Sequence, residues 1–130
     1  MANVVTNLVG DRTIPVLPLA ARTAAPDTQE FHNAGRAAGL VVVVNATAKS
    51  STPSVTVTIS GVDTLSGATW TILQSAAITD AGTTVLKVRP GITAASNVAV
   101  ADVLPPAFRI ACAHGDSDSL TYSVSAFLTN

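Results

Sequence analysis

The chain has 130 residues, enough for one domain with a real core. Its formal net charge is −1 and only 12% of its residues are charged, with five Arg and two Lys scattered along it. That scatter excludes the clustered cations that a nucleic-acid partner needs.

Apolar residues make up 48% of the chain but aromatics only 4%, so Ala, Val, Leu and Ile dominate beside many Thr and Ser. Val, Ile and Thr branch at Cβ and favour strands. A charge-poor surface near neutrality does not suit a free monomer and hints at life in an assembly. The single cysteine, Cys112, rules out an internal disulfide. The longest apolar run, AAGLVVVV at residues 37–44, falls well short of the roughly 20 residues of a membrane span. The N-terminus, MANVVTNLVGDRT, shows no charged region followed by an apolar one, so no signal peptide is expected.

Residues 1–36 read differently from the rest. Pro15, Pro18 and Pro26 interrupt them, and proline cannot donate to a sheet ladder, so a central strand is excluded. The segment is expected to be an extended arm and loop lying on its own domain or on a neighbour. Contacts with a partner are placed on Asp11, Arg12, Ile14, Pro15, Val16, Leu17, Pro18, Leu19 and Arg22.

Residues 37–130 are expected to form the domain proper. LVVVVNATA (40–48) is continuous and apolar, which suggests a strand buried on both faces. SVTVTIS (54–60) alternates, with Val55, Val57 and Ile59 on one side. ATWTILQSAAI (68–78) reads as a third strand bent near Ser75, and TTVLKVRP (83–90) as a fourth. NVAVADVLP (97–105) is a weaker fifth; AFRIACA (107–113) and SLTYSVSAFL (119–128) complete the set. Gly, Pro, Asp, Asn and Ser mark the connections. Short strands without an amphipathic helix predict an all-β fold, an antiparallel β-sandwich or jelly roll with an extended N-terminal arm.

CAHGDSDS (112–119) places a thiol, an imidazole and two carboxylates close together. Cys112 shares strand parity with Phe108 and Ile110, so it reads as a small buried hydrophobe. A catalytic cysteine needs a helix N-terminus or a cation, and no helix is expected here. His114 falls at the strand end, facing solvent. Asp116 and Asp118 alternate as in a calcium loop, but position twelve is Phe127 where a Glu is needed. Turn chemistry explains them better. The loop at 63–67, DTLSG, reads as a hairpin connection.

His32 beside Glu30 does not make a zinc site, which wants three or four ligands. There is no nucleophile elbow, P-loop or dinucleotide motif. No catalytic residue, metal ligand or cofactor is therefore assigned, and the chain is not expected to be an enzyme. Trp70 aligns with Ile72 and reads as core; exposed, it would offer a sugar a stacking surface. Arg109 opposes the Phe108 parity and is free to reach solvent, a partner or an acid such as Asp102.

These elements together resemble small virion proteins of tailed bacteriophages. The likeness rests on the Thr-Pro-x-Val-Thr-Val-Thr-Ile strand (52–59), Asp-x-x-Ser-Gly (63–67) and Thr-x-Leu-x-Val-x-Pro-Gly (84–91). Leu-Pro-x-x-x-Arg (104–109) and Thr-Tyr-Ser-Val (121–124) complete it. It spans residues 36–128, consists of strand and turn motifs, and carries over no functional residues. What it implies is a virion component of the capsid decoration type. Such a protein clamps the outside of the head by binding the major capsid protein, as a homo-oligomer, a trimer for preference. The rival readings are a tail or neck component and a carbohydrate-binding module that recognises a host surface; an enzyme is the most distant.

Overall fold

The computed structural model describes residues 3–8 and 13–130. Among the described residues ten strands form in chain order: β1 (Asn3–Leu8), β2 (Thr13–Arg22), β3 (Thr28–Asn33), β4 (Gly39–Lys49) and β5 (Val55–Val62). Then come β6 (Thr69–Gln74), β7 (Gly82–Val88), β8 (Ala99–Val100), β9 (Ala107–His114) and β10 (Leu120–Thr129). They make two five-stranded sheets, ordered β1-β3-β9-β5-β6 and β2-β10-β4-β7-β8. The sheets pack face to face as a β-sandwich around one core. All pairings are antiparallel except β1 with β3 and β7 with β8, at the sheet margins.

Period-two alternation explains the core. In β10, Leu120, Tyr122, Val124, Ala126 and Leu128 are buried while the residues between them are partly exposed. In β5, Val55, Val57 and Ile59 lie fully inside. From β9 come Phe108, Ile110 and Cys112, and Phe31 of β3 stacks on Phe108 with ring centroids 5.6 Å apart.

The winding has a simple rule. β2–β3, β4–β5 and β9–β10 each cross from one sheet to the other at the same end, so the three corners lie side by side. The amide of Gly115 donates to the Ser54 carbonyl (2.8 Å), and that of Ser50 to the Ser119 carbonyl (2.8 Å). Asp118 closes the seam by accepting from the Thr52 amide and hydroxyl.

Three expectations need revision. The run 40–48 is buried on one face only: Val41 and Val43 are partly exposed, because none of the described residues covers the outer side of that sheet. The fifth strand shrinks to Ala99–Val100, since Pro105 and Pro106 follow and residues 101–106 cross between the sheets.

The third revision concerns the N-terminal segment. It is no separate arm but is built into both sheets. β2 pairs with β10 along the edge of one sheet, and β3 lies inside the other between β1 and β9. Val16, Leu17 and Phe31 are core residues. Pro15 and Pro18 bar a central strand but not an edge strand with irregular register, and the β2–β10 ladder slips twice next to them.

Removing residues 1–25 should therefore destabilise the sandwich. Loss of Val16 and Leu17 alone costs about 3–6 kcal/mol, at roughly 1.5–3 kcal/mol for each buried side chain. Chemical denaturation of the truncated chain checks this; an unchanged midpoint would mean that β2 contributes nothing to the core.

Candidate functional site

The residues with chemistry gather in two places. At the corner end, β9 and β10 bring Cys112, His114 and Tyr122 together, and the end of β2 adds Arg22. Tyr122 is fully buried. Its hydroxyl lies 2.9 Å from His114 Nε2 and within reach of the Cys112 thiol. Arg22 lies over the Tyr122 ring, its guanidinium carbon 4.7 Å from the centroid. The same guanidinium donates to the carbonyls of Tyr122 and Pro18, both at 2.6 Å, and to that of Ala20 at 3.3 Å. It braces the irregular stretch of β2 against β10.

Burial governs the protonation of this cluster. Burial pushes the Cys112 thiol up to about 11. At that value roughly one thiol in ten thousand is ionised at neutral pH, and the thiolate is the nucleophile. Burial likewise raises the Tyr122 phenol. Burial, then the charge of Arg22, holds His114 below its ordinary 6.5, against a smaller opposing pull from Asp116. The imidazole is thus neutral at pH 7 and able to accept from the Tyr122 hydroxyl. His114 is half-buried and partnered, where the sequence suggested solvent; its partner stands across the corner on the other sheet.

The second cluster lies on the outer face of the β1–β3–β9 sheet. Arg109 Nε donates to Glu30 Oε1 at 2.8 Å, and His32 Nε2 lies 3.3 Å from Glu30 Oε2. The hydrogen bond from Arg109 holds the Glu30 carboxyl below its ordinary value in spite of burial. Arg109 does turn away from Phe108, as its parity requires, but its acid is Glu30 and not Asp102.

The turns behave as read. The Asp116 carboxylate accepts from the amide of Asp118, and Asp63 accepts from the Leu65 amide and the Ser66 hydroxyl. Those two bonds hold the Asp63 carboxyl below its ordinary value. No group of three or more metal-ligating side chains occurs among the described residues.

Trp70 departs from expectation. It is 47% exposed. A register shift between Ile59 and Ser60 inserts Ile72 as an extra residue in β6. Trp70 then pairs with Gly61 and no longer shares parity with Ile72. A Cβ on Gly61 would overlap the indole, so the glycine is what lets Trp70 lie down on β5.

The residues nominated for partner contact divide sharply. Val16 and Leu17 are inside, Ile14 is partly buried, and Arg22 is engaged as a brace. Pro15, Pro18 and Leu19 remain exposed on the sheet edge. Asp11 and Arg12 lie outside the described residues.

A feature that the sequence reading missed is the outer face of the β2–β10–β4–β7 sheet. Its rows run Thr13–Phe127–Val41–Lys87, Pro15–Ser125–Val43–Val85 and Ser123–Asn45–Thr83. Val41, Val43, Val85 and Phe127 are all partly exposed there. Lys87, at the margin, is the only charge in these rows. The signal was legible in the odd positions of VVVV and SVSAF, once one face is assigned to the core. No known protein family, curated protein or solved structure matches the chain.

The pH dependence follows from His114. Its folded value lies below its unfolded value, so the unfolded chain binds the extra proton. The stabilisation is complete above about 6.5 and is lost as pH falls from there through the folded value. Denaturation midpoints should drop between about pH 7.5 and about pH 5.5, and His114→Gln should flatten that drop. An equal slope in the variant would show that the hydrogen bond to Tyr122 does not carry the effect.

Proposed function

We propose that this chain is a structural component of a bacteriophage virion, a decoration protein that binds the outside of the head. The observation that carries this reading is the uncharged outer face around Val43. A sheet face with Val41, Val43, Val85 and Phe127 at its centre is suited to lie against another protein surface. It gives a physical place to the assembly habit suggested by the charge-poor composition. The strand and turn motifs that resemble phage virion proteins point the same way.

The mechanism is adhesion by a rigid body. The sandwich is ordered before it docks, so little conformational entropy is lost on binding. Pro15 extends the flat face, and Pro18 and Leu19 add contacts along its edge. The partner is the major capsid protein, which offers many equivalent sites on a head. Several modest contacts on one oligomer then combine into high avidity. The sealed thiol, the neutral imidazole and the paired Glu30 leave the protein a scaffold in this account, without cofactor or catalysis. Its location is the virion.

Co-sedimentation with phage heads tests the docking face. Val43→Lys puts a charge at its centre and should abolish binding. The cost in stability should stay within about 1 kcal/mol, the span of strand propensities. Undiminished binding by a folded Val43→Lys variant would refute this face as the contact.

A further inference from the structure

A sheet edge presents unpaired amide and carbonyl groups, a template on which another strand adds. The sandwich has four such edges, and three are blunted. β2 carries Pro15 and Pro18 and two register shifts. β6 is distorted by its own register shift, which inserts Ile72 as an extra residue. β8 is two residues long. Each is a recognised device against edge-to-edge association.

β1 has none of them. Its sequence, Asn-Val-Val-Thr-Asn-Leu, holds no proline, no glycine and no charge. It pairs with β3 over all six residues without a shift. It ends its sheet, so among the described residues its other side is unpaired. Val5, in register with Glu30, is 52% exposed. The segment thus combines length, regularity and neutrality on an open edge, with Val5 exposed beside it.

We infer that β1 is a homotypic interface, on which β1 of a second copy adds as an antiparallel strand. A two-fold axis at this edge would make one continuous sheet from two five-stranded ones. The choice of a second copy rests on charge. Residues 3–8 are neutral throughout, so two identical strands meet without like-charge repulsion, and no row of cations or anions on β1 asks for a complementary partner. The interface is isologous, each copy offering the same six residues. Ladder hydrogen bonds supply the contact and Val5 the apolar surface beside it. This pairing does not depend on the virion reading and leaves the face around Val43 free.

Light scattering coupled to size exclusion tests it on the full chain. The native protein should run at twice the chain mass of 13.1 kDa. Val5→Lys puts a charge on each copy at the pairing edge while facing Glu30 within its own sheet, and should shift the protein to the single-chain mass. Hydrogen exchange gives a second readout: among residues 3–8, the alternate amides that point away from β3 should be protected in the native protein and lose that protection on dilution, while those bonded to β3 stay protected. A native monomer, a trimer, or a dimer that survives Val5→Lys with unaltered exchange at residues 3–8 would overturn the inference.

Discussion

The joining of β9 to β10 is the constraint on which the rest of this molecule depends. Each of these strands lies within its sheet, flanked on both sides, and only the polar turn at 115–119 separates them. Once that corner forms, β5 and β4 pair along one side of it and β3 and β2 along the other. Long-range pairing of this kind must overcome loop-closure entropy before contacts stabilise it. The amide of Gly115 and the Asp118 carboxylate help by binding the neighbouring corner at Ser54 and Thr52. The turn is therefore structural in a strong sense: it sets the register between two sheets.

The same corner explains where the conspicuous side chains of CAHGDSDS lie. β9 and β10 carry Cys112 and Tyr122 into the interior, and His114 follows to the rim. What results is a chain from thiol to phenol to imidazole, roofed by the Arg22 guanidinium. Burial favours the neutral form of all three titrating groups. Arg22 can sit over a buried ring because its donors are satisfied by carbonyls. Cys112 and Tyr122 pack in the core, and Arg22 braces β2 against β10. Surface character is left to neutral strands, and that is the physical basis for reading the protein as an assembly component.

Much of the fold was legible because alternation is a local signal. β5, β9 and β10 follow from apolar residues at every second position, and β4 from a continuous apolar run. What failed was whatever needed a partner strand to be known. The inserted Ile72 switches the parity of Trp70, and nothing in ATWTILQ announces it. Pro15 and Pro18 speak against a central strand but are silent about an edge, so the sequence alone does not distinguish β2 from an arm. Glu30 and Arg109 are 79 residues apart in sequence, and only the β3–β9 pairing joins them. His114 was placed in solvent because its acceptor role depends on a hydroxyl from the opposite sheet. Pro15, Pro18 and Leu19 are exposed on the β2 edge, whereas the apolar rows around Val43 are not legible in the sequence until one face is assigned to the core. The run of four valines suggests burial on both sides, and the face is open because no further layer among the described residues covers it.

The central claim is that the chain is a fixed part of a phage head. Immunogold labelling of purified particles that carry its gene, with an antibody to this protein, tests that most directly. Gold distributed over the head surface is the predicted result. Gold confined to the tail or neck would contradict the decoration role while keeping the protein in the virion, and unlabelled particles would contradict the virion assignment itself.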